Sequence, residues 1–218
     1  MTRPDQLPPT GLIAILRGLT PAEAPAVGDT LREAGFRRLE VTLNSPDPFT
    51  SIELLAQRLP DVVVGGGTVV TVADVDRVRD AGGRIVVAPN ADPAVIARSV
   101  ELGLEPYPGV ATPTEAFAAL GAGARALKLF PAPSVGIAGM KAWSAVVPAG
   151  TQFLPVGGID AGNLGDWLAA GARGAGIGST LYSPGRSTGE LEQAARDLMT
   201  VWNNHQESSQ EKHEENNQ

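Results

Sequence analysis

The sequence predicts an α/β protein, a single-domain (β/α)8 barrel of the TIM type. Three observations predict it. Eight short apolar runs recur at intervals of about 20 to 27 residues, each of a length that suits a buried parallel strand. Helical patterns with recognisable caps lie between them, and no change of composition marks a second domain or a linker. A doubly wound open sheet is the other arrangement that this alternation allows.

The expected strands are residues 12–16, 39–43, 62–64, 85–88, 104–107, 126–130, 153–156 and 174–177. Thr20-Pro21-Ala22-Glu23 predicts the first helix start, as a capping box with proline in its first turn. Asp92-Pro93 and Thr112-Pro113-Thr114-Glu115 predict two more. Ala34-Gly35, Ala81-Gly82 and Leu102-Gly103 end three helices, because glycine accepts the left-handed C-cap. Val72, Val75 and Val78 form an apolar stripe between charged residues, and Leu191, Ala194, Ala195, Leu198 and Val201 repeat it in the last helix.

Composition narrows the chemistry. At 218 residues and 43% apolar, the chain can bury one full core, assigned to residues 1–202. Net charge is −7 and no basic run occurs, so nucleic acid is not an expected partner. No apolar run approaches the roughly 20 residues that span a bilayer, and the first ten residues have no signal-peptide core. A cytoplasmic location is expected. There is no cysteine, and both histidines, His205 and His213, fall in residues 203–218. That polar stretch is expected to be disordered or to fray from the last helix. The body therefore offers no thiolate or imidazole, and neither a metal nor a cofactor is expected. Chemistry must fall to carboxylates, lysine, arginine and hydroxyls.

Lys128 is the first candidate. Of three lysines, Lys212 lies in the polar tail and Lys141 in an expected surface helix, whereas Lys128 sits in Ala126-Leu127-Lys128-Leu129-Phe130. Burial of an ammonium costs several kcal/mol, roughly, so its pKa should fall and its amine become nucleophilic. A Schiff-base lysine is prepared in this way, although pairing with a buried carboxylate for structure alone would leave the same trace.

Strand alternation supplies that lysine's company. Glu40, Thr42 and Asn44 share one face of the second strand, and Ala126, Lys128 and Phe130 one face of the sixth. Arg17 ends the first strand, and Thr68 follows Gly65-Gly66-Gly67 after the third. Barrel enzymes collect their functional groups at these strand ends. A wet polar face would explain Glu40 on an edge strand, but a closed barrel has no edges. A salt bridge to Glu40 would explain Arg17. After the seventh and eighth strands stand Val156-Gly157-Gly158 and Gly176-Ile177-Gly178-Ser179, where backbone N–H groups can approach an anion closely. These two loops form the recurrent phosphate site of barrel enzymes, and a phosphorylated ligand follows.

These stretches resemble the class I 2-keto-3-deoxy-6-phosphogluconate and -galactonate aldolase family. The carriers are Ile13-Ala14-Ile15-Leu16-Arg17-Gly18, Leu39-Glu40-Val41-Thr42-Leu43-Asn44-Ser45-Pro46, Gly65-Gly66-Gly67-Thr68-Val69, Pro108-Gly109-Val110-Ala111-Thr112, Leu127-Lys128-Leu129-Phe130-Pro131 and Val156-Gly157-Gly158. The match runs from about Leu12 to Tyr182. The resemblance implies a homotrimer, no metal, and reversible cleavage of a phosphorylated keto-sugar acid to pyruvate and glyceraldehyde 3-phosphate. It implies that Lys128 forms the imine and that Glu40 moves protons through water. Arg17 and Thr68, with the loop after strand two, would hold the carboxylate. Gly157, Gly158, Gly178 and Ser179 would hold the phosphate, and Phe130 would pack beside the imine. Asn44 and Val156 match the galactonate branch, where the gluconate branch typically carries arginine and threonine. An epimerase or phosphate-ester synthase would share the glycine loops but would not need Lys128 opposite Glu40. A non-enzymatic scaffold would not need to keep a buried lysine.

Overall fold

Strands buried on both faces need two sets of apolar partners, and the alternation of side chains supplies both. A computed structural model describes residues 10–215. In chain order the strands are β1 (Gly11–Leu16), β2 (Arg38–Thr42), β3 (Val63–Gly67), β4 (Ile85–Val87), β5 (Glu105–Tyr107), β6 (Gly109–Val110), β7 (Ala126–Leu129), β8 (Gln152–Pro155) and β9 (Gly174–Ile177). The helices are α1 (Ala24–Ala34), α2 (Pro48–Arg58), α3 (Val72–Asp80), α4 (Pro93–Glu101), α5 (Pro113–Gly121), α6 (Ala132–Ser144), α7 (Leu164–Ala169) and α8 (Thr188–Glu215). One set of side chains, including Leu39, Val41, Leu127 and Leu129, packs outward against the helices. The other forms a small inner core of Ile13, Ile85, Val87, Tyr107, Ala126 and Leu154.

All strand pairs are parallel, in two sheets ordered β5-β4-β3-β2-β1-β9 and β6-β7-β8. β5 answers to the expected fifth strand at 104–107, and β6 is a further short strand just beyond it. Pro108 has no N–H to donate to a ladder, so pairing stops there and resumes at Gly109 with a new neighbour. The Pro108 carbonyl still accepts from the Lys128 N–H at 2.9 Å. Where β8 leaves its sheet, an isolated parallel bridge joins Val156 to Gly176 of β9.

Most caps follow the sequence. Thr112 and Glu115 form a complete capping box, and the Asp92 side chain accepts from the Ala94 and Val95 N–H groups. Gly35, Gly82 and Gly103 take the left-handed conformation after their helices. Thr20 differs: it donates its N–H and hydroxyl to Glu23, but α1 begins one turn later, at Ala24. Val72 also departs from its stripe. It is 39% exposed, whereas Val75 and Val78 are fully buried, because at the first position of α3 it lies beyond the packed face. The segment from residue 203, expected to be disordered or to fray from the last helix, continues α8 as helix to Glu215; the Ser208 and Ser209 hydroxyls bond back to the carbonyls of Asn204 and His205. Residues 1–9 and 216–218 lie outside the described residues. Among the described residues, no helix is long and apolar enough to cross a membrane.

Candidate active site

A cavity of about 630 Å³ opens where β1, β2, β3, β7, β8 and β9 end. It is lined by ten of the eleven residues singled out from sequence: Arg17, Glu40, Thr68, Lys128, Phe130, Val156, Gly157, Gly158, Gly178 and Ser179. Asn44, the eleventh, does not line it. Its Oδ1 accepts a 2.8 Å hydrogen bond from the Arg17 guanidinium, so it acts on the cavity through that arginine. Arg17 forms no ion pair with Glu40 and is held instead by this amide.

Glu40 and Lys128 are buried, at 2% and 7% exposure, in the same walls. Burial is the main influence on both and acts in opposite directions. It pushes the Glu40 carboxyl up to about 7, against the pull of Lys128 and Arg17. It depresses the Lys128 ammonium, helped by the positive charge of Arg17 and opposed by Glu40. The Glu40 Oε2 has no hydrogen-bond partner. An unsatisfied buried carboxylate oxygen costs a few kcal/mol, roughly, which structure alone does not explain. A second cavity, of about 10 Å³, also touches both side chains and has room for about one water.

The backbone is shaped around this pair. A Cβ on Gly67 would stand 2.6 Å from the Glu40 Oε1, so β3 must be side-chain-free there. A Cβ on Gly176 would stand 2.8 Å from a Val156 methyl, and glycine leaves that wall its valine. Thr68 holds φ at 60°, a left-handed conformation rare for a β-branched residue. Hydrogen bonds on both sides fix it: Leu43 N–H to the Gly67 carbonyl at 2.7 Å, and Val69 N–H to the Val87 carbonyl at 3.1 Å. The Lys128 Nζ lies 4.7 Å from the centroid of the Phe130 ring. Across the cavity, the N–H groups of Gly158, Ser179 and Thr180 donate to no acceptor among the described residues, which leaves them available to an anion.

A family model described as KDPG and KHG aldolase matches residues 6–194. The chain belongs to that family. A Rhizobium meliloti (strain 1021) protein named "Probable 2-dehydro-3-deoxy-6-phosphogalactonate aldolase" is 49% identical over 185 residues, 84% of this chain and 87% of its own length. An Escherichia coli (strain K12) protein named 2-dehydro-3-deoxy-6-phosphogalactonate aldolase is 44% identical over the same share of this chain and 90% of its own. A solved structure titled "Native KDPGal structure" superposes with a TM-score of 0.88 at 41% identity, covering 93% of this chain and 97% of that one. A designed porous protein cage made by fusing symmetric oligomeric domains superposes at 0.90 with 39% identity, covering 97% of this chain and 78% of that one.

The cavity is also lined by residues that the sequence did not single out. Tyr182, Ser183 and Pro184 line it from the loop after β9. The Tyr182 hydroxyl is buried without a partner, and burial pushes it up to about 12. The signal was present as Ser183-Pro184-Gly185, a type II turn sequence. Nothing in a turn sequence, however, says that the turn folds back over a cavity.

Proposed function

We propose that this aldolase is a class I, Schiff-base enzyme that reversibly cleaves 2-dehydro-3-deoxy-6-phosphogalactonate to pyruvate and D-glyceraldehyde 3-phosphate. The observation that carries the reading is the pairing of a buried, depressed lysine with a buried, raised carboxyl in one cavity. Their environments push both toward neutrality: the amine toward its nucleophilic form, and the carboxyl up to about 7, where it can give and take a proton. The substrate name rests on the two curated relatives and on Val156.

The neutral Lys128 amine attacks the keto carbon, and loss of water gives a protonated imine. That cation draws the electron pair of the neighbouring carbon–carbon bond, which breaks to leave an enamine. The hydroxyl beyond the bond loses its proton to Glu40, relayed by one water, as it becomes the aldehyde. Glu40 then returns a proton to the enamine carbon, and hydrolysis of the imine frees pyruvate and Lys128. Arg17, held by Asn44, and Thr68 bind the carboxylate end. Phe130 covers the imine, and the loops carrying Gly157, Gly158, Gly178 and Ser179 bind the phosphate. Neither metal nor cofactor takes part.

Residues 1–202 form the aldolase domain in this reading, with 203–218 appended. The two sheets close as one (β/α)8 barrel; the continuous run from β5 to β6 and the Val156–Gly176 bridge support this. The working unit is a cytoplasmic homotrimer, a state supported by the symmetric oligomeric domains of the cage relative and by exposed Phe117 and Val146. The test is turnover of the two epimeric phosphates side by side. A preference of about 10-fold in kcat/KM for the galactonate compound, roughly 1.4 kcal/mol, is expected, since an apolar wall discriminates only weakly. Equal use or a gluconate preference would overturn the substrate; no turnover of either would overturn the aldolase mechanism.

A further inference from the structure

We propose that Arg186 is a positioning residue that holds the phosphate-gripping loop in its binding shape without touching the ligand. The inference rests on the phosphate site proposed above and adds the device that builds it. Ser183-Pro184-Gly185-Arg186 turns the chain back, with the Arg186 N–H on the Ser183 carbonyl at 3.1 Å and Gly185 at φ 82°. The returning guanidinium is half-buried and lies outside the cavity wall. Its Nη1 donates to the carbonyls of both Thr180 and Leu181.

Those two carbonyls belong to the turn that presents Ser179 and Thr180. The Leu181 and Tyr182 N–H groups close on the Gly178 carbonyl, at 2.9 and 3.0 Å, so the turn is already tight. The Thr180 hydroxyl donates to the Ile159 carbonyl at 2.6 Å, and the Asn163 amide to the Gly158 carbonyl at 2.8 Å. Carbonyls of both glycine loops are therefore occupied from behind, and the unpaired N–H groups of Gly158, Ser179 and Thr180 remain for the anion. The half-buried cation behind the loop also offsets part of the charge of a phosphate in front of it. A surface arginine would achieve neither effect. One held by two carbonyls of the binding loop supplies both.

The test compares condensation of pyruvate with D-glyceraldehyde 3-phosphate and with D-glyceraldehyde, using the full chain. Arg186→Ala should raise KM for the phosphorylated aldehyde about 10-fold, with kcat within about twofold, and weaken inhibition by inorganic phosphate similarly. D-Glyceraldehyde kinetics should not change, and Arg186→Lys should restore most of the loss. Equal losses on both aldehydes, or an unchanged KM for the phosphorylated one, would overturn the inference. If the wild type neither prefers the phosphorylated aldehyde nor responds to phosphate, the phosphate site falls as well. Should Arg186→Ala fail to fold, Arg186→Met carries the same comparison: it keeps the side-chain stem and removes the guanidinium donors to the Thr180 and Leu181 carbonyls, and the same selective rise in KM is expected.

Discussion

Replacing Glu40 by glutamine should slow catalysis while relieving the fold of a burden that grows with pH. Glu40 is 2% exposed and its carboxyl is raised from 4.5 to about 7, mainly by burial. That rise means that the folded state prefers the protonated form by about 3 kcal/mol. The sign follows from linkage. Below pH 4.5 both folded and unfolded chains carry a protonated Glu40, so there is no penalty. As pH rises from 4.5 to 7 the unfolded chain ionises first, and stability falls; above 7 the full penalty is in place. Glutamine removes this slope. Lys128, deprived of its partner, is depressed further, which acts in the same direction at high pH. Urea unfolding of both proteins at pH 5 and pH 8 measures the effect. Relative to wild type, Glu40→Gln should gain about 2–3 kcal/mol between those two values. The same variant should lose roughly 10²–10⁴-fold in kcat. A flat stability difference together with kcat within about threefold of wild type would refute the reasoning, and would make Glu40 a structural residue.

Three further outcomes are expected. Gly67→Ala should reduce kcat well beyond its effect on KM, because the new methyl would press on the Glu40 carboxylate at 2.6 Å; steady-state kinetics would show it. Val156→Thr should shift the ratio of kcat/KM toward the gluconate epimer when both substrates are assayed, since a hydroxyl can then bond the stereocentre that separates them. EDTA should leave activity unchanged, because the histidines lie at 205 and 213 and the chain has no cysteine; loss of activity restored by a divalent ion would contradict this.

Much of the candidate site's geometry was legible in sequence because strand alternation is rigid. Once Lys128 and Glu40 were placed on inward faces between outward leucines and valines, one cavity had to receive both. The glycine loops were legible for a similar reason, as they follow strand ends at fixed places in the fold. Asn44 marks the limit of that logic. It stands past the end of β2, where alternation no longer fixes direction, and it turned to Arg17 instead of the cavity. The break between β5 and β6 was encoded in Pro108, but a proline costs a ladder bond only where a partner strand faces its nitrogen, and that depends on register. The left-handed Thr68 carried no signal, since tertiary hydrogen bonds on both neighbours impose it. Arg186 was equally silent. Its importance lies in which carbonyls a turn brings under it.

The central claim is that Lys128 forms the covalent intermediate, and trapping tests it most directly. Pyruvate and borohydride added together should reduce the imine to a stable secondary amine, one per chain, and inactivate the enzyme. Lys128 and Lys141 offer a built-in comparison: the first is 7% exposed and depressed, whereas the second lies exposed on α6. Peptide mapping by mass spectrometry should place the pyruvate-derived adduct on Lys128. An adduct on Lys141, or no adduct while the aldolase still turns over, would contradict the account.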